Sequence, residues 1–217
     1  MNLKSKLLLA CKSIAFSLLI SGCAPSGFDP GSMVANKPTV QVSTGWSLDE
    51  HAPYLIHGDS ILRLHSSEEE AFNAFPRPRG AYDFFEDPPL DGDTYVAKGW
   101  QSGAEGFGIV LVRNRVVLAL QTFDNVDADT ASQTLQLYEQ AMAPTVPEVV
   151  PSELASYWFW ESGQARLMVC QTTDSKHKNQ LVVALGDADV MNALRMSRPA
   201  ASQDIVEARA KLQGGKE

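Results

Sequence analysis

The run Phe107-Gly-Ile-Val-Leu-Val112-Arg-Asn-Arg-Val116-Val-Leu-Ala-Leu-Gln-Thr-Phe123 decides the fold. It holds two apolar stretches of strand length, with Asn114 between two arginines. That arrangement reads as a tight hairpin, because Asn tolerates the left-handed backbone such a turn demands. Alternate side chains of a strand point to opposite faces. Phe107, Ile109 and Leu111 therefore share one face, and Val110 and Val112 share the other. A strand that is apolar on both faces is covered on both, which predicts a central position in the sheet. Thr94 to Trp100 is a third strand leading into the pair. Behind it Ala131, Leu135, Tyr138 and Met142 repeat at helical spacing, with Asp127 or Asp129 as cap and Pro144 as stop.

Further on, the same order returns. Tyr157 to Glu161 reads as a strand turning at Gly163, followed by strands over Ala165 to Thr172 and Leu181 to Leu185. Asp187 or Asp189 then caps a helix through Val190, Leu194 and Met196, and a last helix is predicted over Ser202 to Leu212. The expected class is α+β: antiparallel sheet(s) from two strand-strand-strand-helix units, with the helices packed on one face. The units span 94–143 and 152–217, joined by a stiff proline-rich connector over 144–151, with 94–217 as one domain. The match between the units is one of pattern, a duplication or two uses of a common motif.

Upstream, 47–93 is an irregular lead-in region. Gly58-Asp59 between Tyr54-Leu-Ile56 and Ile61-Leu-Arg-Leu64 predicts a short hairpin. Ser67 with Glu70 three residues later is a capping box for a short helix ending before Pro76. Tyr82, Phe84 and Phe85 are expected to pin the following loop to the core, and Glu86 to Asp93 forms an acidic turn. Residues 23–46, rich in Pro, Gly and Ser, read as a flexible tether, with Val40-Gln-Val42 as a possible edge strand.

Residues 1–22 have the pattern of a secretory signal: Lys4, Lys6 and Lys12, an apolar run from Leu7 to Ile20, then Ser21 and Gly22 before Cys23. The apolar run is shorter than the roughly 20 residues that span a bilayer. Ile20-Ser21-Gly22-Cys23 resembles the lipobox of bacterial lipoproteins, with Ile in place of the commoner Leu at its first position. The resemblance implies cleavage before Cys23 and acylation of its thiol and new amino end, since stable anchoring takes more than one buried chain. Ala24 follows where an Asp would imply retention in the inner membrane, so the resemblance implies the outer membrane of a Gram-negative cell, periplasmic side. The hairpin-then-helix units are also similar in topology to exported lipoprotein domains and to the photosystem II extrinsic protein P; no residue motif accompanies that likeness, and no function carries over from it.

Charge bounds the partners. The 217 residues carry a net −8, and cutting before Cys23 removes three lysines and no acid, giving −11. Nucleic-acid binding needs clustered Lys and Arg and is not expected. Of the three cysteines, Cys11 leaves with the signal and Cys23 takes lipid, so Cys170, in a strand-like run, is expected to be a buried, inert thiol.

Catalytic signatures are sparse. There is no Gly-x-Ser-x-Gly elbow, and His57, Asp59 and Ser60 read more simply as a polar turn. His51, His57 and His65, with Glu68 to Glu70, lack metal-ligand spacing; Asp87, Asp91 and Asp93 form an incomplete calcium loop. No metal or cofactor is expected. The aromatic run Tyr157-Trp158-Phe159-Trp160 is the strongest binding candidate. Trp158 and Trp160 share one face, and Trp100 lies on the corresponding strand of the first unit. Core packing accounts for these rings first; on an open face they would suit a glycan, a lipid or an extended peptide. The chain is thus expected to be a non-enzymatic envelope lipoprotein, anchored through Cys23 and acting as a binding or accessory module for an envelope protein partner. The alternatives are a glycan or lipid receptor using Trp158, Trp160 and Trp100, and a divergent hydrolase using His57 and Asp59.

Overall fold

A computed structural model describes residues 48–86, 95–151, 155–173 and 179–194. In chain order these form β1 (Leu55–His57), β2 (Ser60–Leu62), α1 (Glu68–Ala74), β3 (Tyr82–Glu86), β4 (Tyr95–Ser102), β5 (Glu105–Val112), β6 (Arg115–Asp124), α2 (Ala128–Ala141), β7 (Glu148–Pro151), β8 (Ala155–Ser162), β9 (Ala165–Thr173), β10 (Asn179–Asp187) and α3 (Ala188–Ala193). Strands β3 to β10 make one eight-stranded sheet in the order β3-β4-β5-β6-β10-β9-β8-β7, while β1 and β2 form a separate hairpin. Every neighbouring pair is antiparallel. Cys23 and its flanks, Val40 to Val42, Asp87, Asp91, Asp93, Met196 and the helix expected over Ser202 to Leu212 lie outside the described residues.

The stretch 107–123 behaves as its sequence demands. Arg113 and Asn114 take φ of 49° and 60°, the left-handed pair of a two-residue hairpin turn. Phe107, Ile109 and Leu111 enter one core and Val110 and Val112 the other, with β5 and β6 in the interior of the sheet. Leu111 pairs with Val116 and Val110 with Leu118, so Val117 is a bulge, and Val117 and Leu118 turn toward the same core. The lead-in hairpin and the capping box of α1 also form as expected; Ser67 accepts from the Glu70 amide while the Glu70 carboxylate accepts from Ser67.

Three expectations need correction. The helices do not share a face. α2 sends Tyr138 and the adjoining Met142 into one core, beside Trp100, Phe107 and Trp160, and the β1–β2 hairpin and α1 cover that same face. α3 sends Val190, Met191 and the adjoining Leu194 into the opposite core, with Val110, Leu118, Phe159 and Cys170. The connector is only partly a linker, because Glu148–Pro151 pairs with β8 as an edge strand. Tyr82–Glu86 is likewise an edge strand, paired with β4, and Tyr82 and Phe85 stand 74% and 65% exposed rather than pinned to the core. Each unit therefore has four strands before its helix.

The units also share residues at a fixed offset of 60 positions. Trp100-Gln-Ser-Gly103 ends β4 and Trp160-Glu-Ser-Gly163 ends β8, with the glycines at φ 58° and 56°. Asp127 caps α2, and Asp187 caps α3. Connections between them differ in a compensating way. Two residues join β5 to β6 against five between β9 and β10, while three join β6 to α2 against none between β10 and α3.

Candidate functional site

Trp100 and Trp160, in the same position of β4 and β8, point into the core that faces α2 and are 1% and 2% exposed. Around Trp100 the rings are layered. Phe75 stacks on Phe107 at 4.2 Å and 3°, Trp100 tilts against Phe107 at 6.1 Å, and the Trp100 indole N–H donates to the Phe75 carbonyl at 3.2 Å. The lead-in region thus closes over this ring. Trp160 is as deeply covered, but its indole N–H has no hydrogen-bond partner. Trp158 is different: it packs against the same core while part of it remains accessible, and its cross-strand partner Val149 is exposed. Of the three tryptophans proposed for ligand contact, it alone keeps accessible surface.

His57, Asp59 and Ser60 sit at the β1–β2 turn. His57 pairs with Ser60 across it, Gly58 supplies a φ of 56°, and Asp59 is exposed. The His57 ring lies on Phe75 at 5.0 Å and 33°, a packing role. Of the acids near the histidines, Glu68 receives Lys98 on both oxygens at 2.7 Å, and Glu70 is taken by the Ser67 cap. Among the described residues no group of three or more His, Cys, Asp or Glu side chains could hold a metal ion. Cys170 is a buried free cysteine. A shallow cleft of about 430 Å³ between β2 and α1 is lined by Ile61, Arg63, Ser66, Glu70, Asn73 and Ala74. Its two charges are engaged locally, Glu70 in the cap and Arg63 on the Ala52 carbonyl and the Tyr54 ring.

A polar cluster missed in the sequence joins the lead-in region to the end of the sheet. His65, at a left-handed φ of 64°, is fixed by backbone bonds between its N–H and the Val116 carbonyl and between the Val116 N–H and the Ser66 carbonyl; the Arg115 guanidinium donates to the His65 carbonyl. Asp187, 3% exposed, accepts from the amides of Asp189 and Val190. Burial pushes the Asp187 carboxyl up, against the pull of those two amides and of His65. Burial pushes the His65 imidazole down, and Arg115 adds to that while Asp187 opposes it. Tyr95, at the same end of the sheet, is raised by burial and then by Asp187. Only a left-handed residue and a β-bulge mark this place, and neither can be read from residue identity.

The two exposed edges complete the surface. β3 carries Tyr82 and Phe85; β7 carries Val149, between Pro147 and Pro151. No helix among the described residues is long and apolar enough to cross a membrane. The chain matches no family model, no curated protein and no solved structure.

Proposed function

We propose that the protein is a lipid-anchored envelope protein whose folded part is a non-enzymatic binding or accessory module. The observation that carries this reading is Ile20-Ser21-Gly22-Cys23 at the end of a charged-then-apolar leader. A tether of Pro, Gly and Ser up to residue 46 suits a domain held away from a membrane surface. The placement of His57 on Phe75, and the engagement of Arg63, Glu68 and Glu70 in local bonds, leave these side chains in structural roles. By the lipoprotein resemblance the anchor lies in the outer membrane, facing the periplasm.

The test is mass spectrometry of the protein isolated from membranes. The expected result is an amino end at Cys23 carrying acyl chains, and a Cys23→Ser variant that leaves the membrane fraction. An unmodified Cys23 in a protein that washes out of the envelope ends this reading. Turnover by the purified protein in a broad hydrolase screen ends the non-enzymatic part. The accessible part of Trp158 beside exposed Val149 supports a second reading, a receptor for a small glycan or lipid. A shift in tryptophan emission on adding such ligands, abolished by Trp158→Ala, is its signature.

A further inference from the structure

We infer that the sheet face under α3 is the seat of the chain's own C-terminal segment, which packs beside α3 over β9 and β8 as a second covering helix. The two faces of the sheet are unequally served. The core on the α2 face draws residues from the lead-in region, α1 and α2 as well as from strands. Among the described residues, the core on the other face draws only on strands, on α3 and on its C-cap Leu194. α3 has six residues, a length of about 9 Å. It lies on β6 and β10, where Gly186 leaves room for Met191. A helix is about 10–12 Å across and strands lie about 4.8 Å apart, so one helix covers about two strands. Yet Phe159 on β8 and Met168 and Cys170 on β9 are no more than 2% exposed, and Tyr157 stacks on Phe159 at 6.1 Å and 5°. Burial of these side chains requires an apolar cover that α3 alone does not supply.

The path of the chain selects the occupant. Arg166 of β9 donates to Asn192 Oδ1 at 2.8 Å, so α3 ends on the β9 side. Leu194 is fully buried in this core, and the chain leaves the described residues there. The lead-in region begins on the other face, where Leu48 packs. The β9–β10 connection, Asp174-Ser-Lys-His-Lys178, offers no apolar side chain. Residues 195–217 lie outside the described residues, and their sequence predicts a helix over Ser202 to Leu212. In that stretch Ile205, Ala208 and Leu212 recur at i, i+3 and i+7 with Val206 adjoining, and Asp204, Glu207 and Lys211 fall on the opposite side. Residues 195–201 can span up to about 23 Å, against roughly 10 Å from β10 to β8. A helix over 202–212 is about 16 Å long, enough to lie over Tyr157 and Phe159 together. Tethered this closely, the segment meets the face at an effective concentration near millimolar, which disfavours a second copy.

The experiment is hydroxyl-radical footprinting of the full-length protein in detergent, read residue by residue by mass spectrometry, with N-ethylmaleimide labelling of Cys170 in parallel. In the unaltered protein Ile205 and Leu212 are expected to be as protected as Phe159, and Cys170 to label slowly. Ile205→Asp with Leu212→Asp is expected to speed Cys170 labelling at least about tenfold and to raise oxidation of Phe159 and Met168. Trp160, on the same strand as Phe159 but in the other core, stays protected in that variant. Glu207→Gln with Lys211→Gln leaves the pattern of the unaltered protein. Unchanged Cys170 labelling in the Asp variant, exposed Ile205 and Leu212 in the unaltered protein, or unmasking of Cys170 by Val40→Asp with Val42→Asp instead overturns the proposal. Protection of Cys170 that grows with protein concentration, with a doubled mass by light scattering, assigns the cover to a second copy and overturns it too. Should the Asp variant melt as a whole, Trp160 is oxidised along with Phe159, and the protection of Ile205 and Leu212 in the unaltered protein decides. None of these outcomes depends on acylation of Cys23, so the anchor and this cover are tested separately.

Discussion

The two halves of the sheet share strand order, a Trp-x-Ser-Gly turn and an Asp-capped helix, yet their helices cover opposite faces. The difference lies in the last connection. Between β6 and α2 the chain has Asn125, Val126 and Asp127, with Asn125 at a left-handed φ of 58°; between β10 and α3 it has nothing, and Asp187 is both the last strand residue and the cap. Three residues with one reversed backbone let the first half's helix reach the face that the lead-in hairpin covers, where Ile56 donates to the Tyr138 hydroxyl and Tyr54 donates to the Ala141 carbonyl. Without them α3 folds back at once on the other face. Strand order is therefore a local property here, while helix placement is decided by a connection too short to show in any periodicity.

The largest test concerns what each half places at the same core position. Phe107 and Leu167 are 60 positions apart, both fully buried and both in the core facing α2. Phe107→Ala removes the ring on which Phe75 stacks and against which Trp100 tilts, and is expected to cost about 3–5 kcal/mol. Near-UV circular dichroism should fall with it, because the lead-in region loses its seat. Leu167→Ala is expected to lower the unfolding midpoint while leaving that spectrum intact. Equal spectral loss in the two variants would show that the halves are not specialised as described.

A smaller effect tests the tight connection. A Cβ added at Gly186 would lie 2.6 Å from Met191 Cγ and 2.8 Å from Leu118 Cδ1, so α3 can lie against β6 only because this position has no side chain. Gly186→Ala is expected to cost about 1–3 kcal/mol by overpacking. Pairing it with Met191→Ala should give a double variant less destabilised than the two single effects added together. At the matching place before the first cap stands Val126, so the looser connection already accommodates a branched side chain. A Gly186→Ala variant with an unchanged denaturation midpoint would remove the steric account.

The equivalent tryptophans give a difference of about 1 kcal/mol. Trp100→Phe loses a donor and strands the Phe75 carbonyl; Trp160→Phe removes an N–H that has no partner. Both changes trim a similar volume, so the gap between their unfolding free energies isolates the hydrogen bond. Trp100→Phe is expected to be the more damaging, and the reverse order would mean that the Trp160 N–H is satisfied by bound water.

Much of this architecture could be read from residues because its signals are local. The Asn114 hairpin, the two-faced strand over 107–112, the Ser67 box and the caps at Asp127 and Asp187 each need only neighbours to act. What could not be read depends on distant pairings. Tyr82 and Phe85 look like core aromatics until β3 is known to be an edge. Glu148–Pro151, flanked by prolines, looks like a linker until β8 lies beside it. The shared Trp-x-Ser-Gly was legible and passed over, since four residues are submerged when neighbouring strands differ as much as Gly99-Trp100 and Phe159-Trp160. The candidate site shows the same division: Cys23 is marked by its flanks, whereas the Asp187–His65 cluster joins residues far apart in sequence.

The smallest effect separates the two caps by pH. Asp127 is exposed, and the Thr130 amide holds its carboxyl below the usual range. A lowered carboxyl contributes stability that is present above its unfolded value, about 3.9, and is lost as pH falls through the folded value. Asp187 is raised, chiefly by burial. Its contribution is present below the unfolded value and is lost as pH rises through the folded value. Urea midpoints measured from about pH 2 to pH 7 should therefore move oppositely, Asp127 acting below about pH 4 and Asp187 above it. Relative to the parent, Asp127→Asn loses stability as pH rises toward about 4, and Asp187→Asn gains it as pH rises from there. His65, lowered by burial, adds a third slope, because its stabilising effect is present above an unfolded value near 6.5 and is lost as pH falls. His65→Asn keeps a residue suited to the left-handed backbone and should flatten the acid side of the profile. Parallel slopes for the two Asp variants would place both caps in equally solvated settings, against the burial of α3's start, and would undo the contrast between the two connections.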